Sequence, residues 1–189
     1  MADRDDVELM RLAGGGDERA FEELVERHQN LVIGTVAKML GGAEGAEDIA
    51  LQVFVRAWQS ASRYRPDAKF TTWLLTIARN LVFNESRRRR RGFFQPFEND
   101  DGSVMDIRDD LGRDAAAALS ERETQQAVDA AIAALPEAQR MAIVLRRFEA
   151  MPYEDIAVVL KTSVPAVKSL LFRARKDLRE RLKGFLVEG

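Results

Sequence analysis

The stretch YEDIAVVLKTSVPAVKSLLFRARKDL, residues 153–178, has the pattern of a helix-turn-helix. Three apolar residues mark the inward face of a short first helix: Ile156, Ala157 and Leu160. The residues KTS at 161–163 form a tight turn, and Ser163 is a suitable N-cap for a second helix. Pro165 fits in the first turn of that helix, because the N–H groups there have no intrahelical partner. These features predict two helices joined by a tight turn.

The second helix of this stretch separates its apolar and basic residues. One face carries Val164, Val167, Leu171, Ala174 and Leu178. The other carries Ala166, Lys168, Ser169, Phe172, Arg173 and Lys176. From Lys168 to Lys183 there are 7 basic and 2 acidic residues. A helix in a DNA major groove has this layout, with early outward residues at base edges and later Lys and Arg at phosphates. A surface helix with a solvated cationic face is the alternative.

The stretch RNLVFNESRRRRR, residues 79–91, lies on a predicted helix from about Thr71 to about Arg90. One side of that helix carries Leu74, Ile77, Ala78, Leu81 and Glu85. Another carries Asn80, Asn84, Arg87, Arg88 and Arg91. Asparagine can read a base edge and arginine can grip phosphate. A solvated helix end is the alternative for the arginines. Five in a row exceed what capping needs and repel one another, which favours contact with a polyanion.

Aromatic residues precede this row. The segment YRPDAKFTTW, residues 64–73, supplies Tyr64, Phe70 and Trp73. Aromatic rings near basic residues can stack on unpaired bases. For Phe70 and Trp73, each taken alone, a place in the core is the stronger expectation. His28, the single histidine, is likewise expected to be a partly exposed structural residue.

Composition excludes several classes of protein. The 189 residues include no cysteine and 1 histidine, which excludes disulfides and thiolate sites and argues against a histidine-based metal site or triad. No run of about 18 apolar residues occurs, so no membrane insertion is expected. The acidic start MADRDDVELMRL lacks a secretion signal, so we expect a cytoplasmic protein. We expect no catalytic residue, no metal and no cofactor.

The net charge of −2 is unevenly distributed along the chain. Residues 1–91 carry 15 basic and 14 acidic residues, residues 92–126 carry 3 and 9, and residues 127–189 carry 11 and 8. Helical spacing of apolar residues dominates on both sides of the acidic segment, which mixes Gly, Pro, Asn and Asp before a helix begins near Ala115. We therefore expect an all-α chain of two small helical domains, 1–91 and 127–189, joined by a partly flexible acidic linker over 92–126.

Three motifs in this order resemble the bacterial RNA polymerase sigma factors of the extracytoplasmic-function (ECF) group. They are AEDIALQVFVRAW (46–58), FTTWLLTIARNLVFNESRRRR (70–90) and LPEAQRMAIVLRRFEAMPYEDIAVVLKTSVPAVKSLLFRARKDL (135–178). The resemblance covers most of the chain, from about Asp17 to Leu182. It implies the two-domain plan of that group, in which regions 2 and 4 are joined without a further helical domain between them.

The resemblance also implies a role for each part. Region 2 would bind the β′ clamp helices of core RNA polymerase through Glu47, Asp48, Gln52, Phe54, Arg56 and Trp58. It would also melt and read the minus-ten promoter element, with a base flipped into a loop pocket. The residues for that task would be Asn80, Asn84, Arg87, Arg88, Arg91, Phe70 and Trp73. Region 4 would dock on the β flap and read the minus-thirty-five element through Ser163, Lys168, Ser169, Phe172, Arg173 and Lys176.

The resemblance gives the acidic linker a role as well. Such linkers thread the polymerase's RNA exit and active-site channel, where an acidic tether could mimic nucleic acid. From composition alone, a solvated spacer is an equally good interpretation. The resemblance further implies an anti-sigma factor that covers the polymerase- and DNA-binding faces.

The chain departs from the family pattern at two places. The motif commonly read AEDLVQEVF is AEDIALQVF here, with Leu51 and Gln52 at the Gln and Glu positions. On the recognition helix, Ala166 and Leu170 stand where a small polar residue and an arginine are common. Ala166 and Leu170 both remove polar groups from the start of this helix, so the promoter sequence of relatives does not transfer to this chain.

Two other functions are alternatives. A stand-alone helix-turn-helix regulator would explain the second domain but not the Asn/Arg helix or the acidic linker, and it would bind operator duplex without polymerase. A metal-dependent nuclease would need a carboxylate cluster. The runs ENDD (98–101) and DIRDD (106–110) provide only a weak candidate for a cation loop.

Overall fold

A computed structural model of the protein describes residues 5–92 and 114–183, and within these ranges the side chains of residues 92 and 114–121 are left aside. These two ranges contain α-helices, one 3-10 turn (Ala61–Arg63) and no strand. The helices are α1 Asp6–Gly14, α2 Glu18–Leu40, α3 Ala46–Ser60, α4 Phe70–Gly92, α5 Asp114–Ala133, α6 Glu137–Arg147, α7 Tyr153–Leu160 and α8 Val164–Arg181. The all-α prediction is confirmed. Most of the predicted acidic linker, including both acidic runs, lies outside the described residues.

Local signals set the ends of α2. The carboxylate of Asp17 accepts a hydrogen bond from the Ala20 N–H at 3.1 Å and so caps the start of the helix. At the other end Gly41 has a φ of 83°, the left-handed conformation that glycine adopts without steric cost. An aspartate cap and a left-handed glycine therefore define the two ends of this helix.

The helix α1 is a feature that the sequence pattern did not single out. Asp5 caps it by accepting from the Glu8 N–H at 2.7 Å, and its buried Leu9 and Met10 pack into the core. The side chain of Asp6 then lies 2.9 Å from Nε2 of His28 on α2. His28 thus ties α1 to α2, in line with its predicted structural role.

Helices α1–α4 form a first bundle in which α3 packs against both α2 and α4. Its core contains side chains that are fully shielded from solvent: Leu24, Val32, Val36, Val53, Leu74 and Ala78. Most of the apolar side predicted for α4 faces this core, with Ile77 partly exposed. Burial of these faces is the main source of stability, because short helices are marginal alone.

Helices α5–α8 form a second bundle, and α7 and α8 are the predicted helix-turn-helix. Lys161 takes a left-handed conformation with a φ of 54° in the turn. The hydroxyl of Ser163 accepts from the Ala166 N–H at 3.3 Å and caps α8. Val167, Leu171 and Ala174 are buried, so the opposite face of α8 points away from the bundle.

The two bundles pack against each other. Helix α4 lies against α7, and α2 lies against α5 and α6. Buried side chains from both bundles form one continuous apolar core. The sequence leaves this arrangement open, because helical periodicity shows which faces are apolar but not which faces meet.

Candidate nucleic-acid interface

The outward face of α8 is a row of exposed side chains. Phe172 is 72% exposed, and the other predicted residues on this face are exposed as well: Ser163, Lys168, Ser169, Arg173 and Lys176. Their spacing of three, four and five residues places the helical members on one side of α8. An exposed phenyl ring flanked by cations is unusual on a solvated helix, and it suits a surface that meets another molecule.

Two hydroxyls on this face already have partners. The Ser163 hydroxyl accepts the capping bond from Ala166, and the Ser169 hydroxyl donates to the Pro165 carbonyl at 3.1 Å. Both hydroxyl groups are therefore engaged by the backbone of α8.

Tyr153, at the start of α7, is a residue that the sequence pattern did not suggest for this surface. It lines one hollow together with Lys168, Phe172 and Arg173. The guanidinium of Arg146 lies 5.2 Å from the centre of its ring, a cation–π distance that holds the ring in place. The sequence feature that could have drawn attention to this residue is an aromatic side chain directly after Pro152.

The amide row on α4 is only partly open. Asn84 is exposed and Asn80 is half-buried. Nη1 of Arg79 donates to the side-chain oxygen of Asn80 at 3.0 Å, and the same guanidinium lies 4.5 Å from the centre of the Phe83 ring. Arg79 thus orients the Asn80 amide and leaves its NH2 group to donate.

The arginine run has internal partners. Glu85, which lies between the amide row and the core, forms ion pairs with Arg88 at 2.9 Å and Arg89 at 3.0 Å. Burial raises the pKa of the Glu85 carboxyl, but the hydrogen bonds from Arg89 and Arg88 outweigh it and lower the pKa below its ordinary 4.5. Across the described ranges, Arg87 and Arg91 form no ion pair. They are the arginines most available for phosphate.

A cleft between α3 and α4 joins two sets of predicted residues. It encloses about 350 Å³ and is lined by Asp48, Gln52 and Arg56 from α3 and by Asn84 and Arg88 from α4. The predicted polymerase-binding and minus-ten residues therefore share one surface.

The remaining polymerase-binding candidates on α3 divide into two groups. Glu47 is exposed, whereas Phe54 is only 6% exposed and belongs to the core. Trp58 is half-buried, with its ring centre 5.1 Å from that of Phe21. The side chain of Phe54 is therefore buried in this structure, and its contact with polymerase stays a prediction.

Two apolar side chains on α3 are exposed instead. Leu51 is 64% exposed and Val55 is 46% exposed. At a spacing of four residues they lie next to each other on the helix surface.

The aromatic residues before α4 form a cluster. Phe70 is 3% exposed, with its ring centre 5.1 Å from His28 and 5.8 Å from the half-buried Trp73. Burial, followed by the nearby Asp6, raises the pKa of the Tyr64 hydroxyl at the edge of the cluster. Phe70 is therefore a core residue, as expected for this ring taken alone, and its role in base stacking stays a prediction.

Residues 5–92 and 114–183 contain no group of acidic or histidine side chains that could hold a metal ion. None of their helices is long and apolar enough to cross a membrane.

Comparison with known proteins identifies the family. The model of sigma-70 region 2 matches residues 24–92, and the model of sigma-70 region 4 matches residues 125–178. The RNA polymerase sigma-H factor of Pseudomonas aeruginosa is 32% identical over 97% of this chain and 96% of its own length. The chain belongs to the ECF sigma factors of the sigma-70 family. The ECF RNA polymerase sigma-E factor of Escherichia coli is a further relative, 30% identical over 94% of both chains.

Solved structures share the fold of this sigma factor. CnrH, in complex with the cytosolic domain of CnrY, has a TM-score of 0.67 and 27% identity, with 95% of this chain and 97% of CnrH covered. The sigma factor RpoE of Bartonella quintana, in complex with the anti-sigma factor NepR, has a TM-score of 0.66 and 23% identity, with 86% and 96% covered. The two family matches can be placed on the helices. The region 2 match ends with α4, and the region 4 match begins within α5.

Proposed function

We propose that this ECF sigma factor binds core RNA polymerase and directs it to promoters that carry a minus-ten and a minus-thirty-five element. The observation that carries the proposal is the pair of polar, basic helix faces, one on α4 in the region 2 match and one on α8 in the region 4 match. A stand-alone regulator needs only the second. The domain limits that we propose are 1–91 and 127–189.

In region 4, α8 enters the major groove of the minus-thirty-five duplex. Lys168 and Arg173 are long exposed cations at a spacing that reaches base edges, and Arg can bind guanine O6 and N7 with two hydrogen bonds. Lys176 lies further along the same face and meets phosphate. Phe172 offers apolar contact to a thymine methyl group.

In region 2, the exposed Asn84 and the half-buried Asn80 read the melted minus-ten strand, and Arg87 and Arg91 hold its phosphates. The half-buried Trp73 is the aromatic residue that remains for stacking. Polymerase binds the exposed residues of α3, among them Glu47, Asp48 and Gln52.

The exposed apolar pair Leu51 and Val55 extends this binding face of α3. Apolar side chains at such a position favour a protein partner over nucleic acid. We propose that the clamp helices of polymerase and an anti-sigma factor compete for the face. We expect the protein in the cytoplasm, where polymerase acts. As a polymerase subunit it needs no catalytic site or cofactor of its own.

Run-off transcription tests the proposal. Bacterial core polymerase is incubated with a genomic fragment library, with and without the protein. New transcripts that share a two-part upstream sequence are expected. Absence of transcripts, absence of a complex with core polymerase in gel filtration and retained binding to duplex DNA would instead support a stand-alone regulator.

A further inference from the structure

We propose that Glu85 is an internal substitute for phosphate: its carboxylate occupies Arg88 and so limits the affinity of region 2 for nucleic acid of any sequence. This role rests on the proposed function and deepens it, because it concerns the arginine run that is proposed to hold the minus-ten strand. It follows from the way in which the five consecutive arginines, residues 87–91, divide among their partners.

Arg88 holds the Glu85 carboxylate by two bonds. Nε of Arg88 lies 2.9 Å from one carboxylate oxygen, and Nη2 donates to the other at 3.1 Å. Two parallel bonds from one edge of the guanidinium are also the geometry in which arginine binds phosphate. The edge of Arg88 that suits phosphate is therefore already filled from within the chain.

Arg88 nevertheless lies at the surface, where nucleic acid has access to it. Its side chain is 80% exposed, whereas that of Glu85 is 14% exposed. An ion pair with an exposed member is weak, because water screens it, so phosphate can replace the carboxylate on Arg88 without a change of fold. Glu85 then remains one helical turn away, and its charge repels the phosphate. Binding of nucleic acid to Arg88 is therefore opposed both by loss of the pair and by repulsion.

Arg89 keeps the carboxylate in position. Its Nε donates to Glu85 at 3.0 Å, and its Nη2 donates to the Glu44 carbonyl at 3.4 Å. A Cβ added to Gly45 would lie 3.3 Å from the same Nη2 atom, so the guanidinium fits closely against the turn before α3. Arg89 thus joins the end of α4 to this turn, and it holds Glu85 even when Arg88 leaves.

The rest of the run divides in the same manner. Arg90 forms an ion pair with Glu137, whereas Arg87 and Arg91 form none within the described ranges. Phosphate therefore meets two open arginines rather than five. A genome offers very many competing sites, so weak binding to phosphate leaves the choice of site to the bases, which carry the sequence information.

Binding of a labelled oligothymidylate to the full chain, without polymerase, tests this role. Fluorescence anisotropy over a salt series measures the slope of log affinity against log salt, to which each phosphate contact of a single strand contributes about 0.7. Glu85→Gln frees Arg88, so the slope should become steeper by about 0.7, and the affinity at about 0.1 M salt should rise about fivefold. Glu85→Asp keeps the charge and should remain near the wild type. Unchanged or weaker binding by Glu85→Gln overturns the proposal, as does absence of binding by both proteins at low salt.

Glu23→Gln is the matched control for the change of net charge. Glu23 pairs with Arg27 at the i,i+4 spacing, an arrangement that Glu85 also makes. It lies towards the opposite end of α4 from the run, because the ring of His28, the residue after Arg27, contacts Phe70 at the start of α4. Glu23→Gln should therefore keep the wild-type slope. An equal steepening by Glu23→Gln would assign the effect to net charge and overturn the proposal.

A double-mutant cycle shows whether Glu85 acts through Arg88. In the wild-type chain Arg88→Ala should leave the slope nearly unchanged, because Arg88 is occupied. Added to Glu85→Gln, the same change should return the slope to its wild-type value. Arg87→Ala should reduce the slope by about 0.7 in both backgrounds. A loss of about 0.7 on Arg88→Ala in the wild-type chain would show that Arg88 already holds phosphate, and a steep slope that survives Arg88→Ala would show that Glu85 acts elsewhere; either result overturns the proposal.

Failure of this role and failure of the proposed function give different results. Binding of oligothymidylate requires no polymerase, whereas run-off transcription requires both polymerase and promoter. A protein that does not direct transcription, but whose slope steepens in Glu85→Gln and recovers with Arg88→Ala, retains the role of Glu85 and loses the sigma assignment. A protein that directs transcription, but whose slope is the same in Glu85→Gln, retains the assignment and loses the role of Glu85.

Discussion

Replacing Lys176 with Ala should reduce the salt dependence of minus-thirty-five binding by a calculable amount. Lys176 is exposed on the reading face of α8, about two turns beyond Lys168, where a groove-bound helix meets phosphate. Each phosphate contact contributes about 0.9 to the slope of log affinity against log salt. Loss of one contact therefore makes the affinity penalty about 3.5-fold larger at about 50 mM salt than at about 200 mM. Fluorescence anisotropy with a labelled minus-thirty-five duplex over a salt series measures the slope.

Lys183 provides the matched control for this experiment. It follows α8, and the carboxylate of Glu180 already pairs with its ammonium group, so Lys183→Ala should leave the slope nearly unchanged. Both variants should bind several unrelated duplexes with the same ranking as the wild type, because phosphate contacts carry no sequence information. A slope for Lys176→Ala that equals the wild-type slope would refute the placement of this face on DNA.

Three further results are expected. Asn84→Ala, alone or with Asn80→Ala, should retain core polymerase binding in gel filtration but reduce promoter opening, measured by permanganate reactivity; equal loss of both would indicate misfolding. Asp17→Ala should lower the free energy of unfolding in urea by about 1 kcal/mol through loss of the α2 N-cap, and an unchanged midpoint would contradict it. Because its arginine partners depress the pKa of Glu85, its stabilising contribution is present above pH 4.5 and lost as pH falls through the lowered value. Glu85→Gln should therefore show a smaller loss of stability between neutral and strongly acidic pH than the wild type, and an identical loss would exclude this contribution.

Local features were predictable from sequence because their causes are local. The capping carboxylate of Asp17, the left-handed Gly41 and the Ser163 cap of α8 all act within one helical turn. The apolar stripe of α8 likewise determines which of its faces is outward. The outward position of the exposed row of side chains that ends at Lys176 could therefore be predicted from the sequence alone.

Burial of Phe54 could not be predicted in the same way, whereas for Phe70 taken alone a place in the core was already the stronger expectation. Both side chains are buried against neighbouring helices. Their burial depends on which helix covers them, and that depends on tertiary packing. The contacts that Arg140 and Arg90 make between the two regions could not be predicted either, because they too depend on tertiary packing. They join residues about 100 and 47 positions from their partners, which no local pattern encodes.

The shared cleft of α3 and α4 has a consequence for how such proteins diversify. Gln52 and Asn84 line one cavity, so, on the roles proposed for them, a mutation that alters the choice of minus-ten sequence is expected to alter the neighbourhood of the polymerase contact as well. Among the described residues, α8 has no packing contact with α3 of comparable extent. On the proposed roles, we therefore expect copies of this protein to acquire new regulons after gene duplication more readily by changing Lys168, Phe172 or Arg173. The minus-thirty-five element is the half of the promoter that we expect to vary first between paralogues.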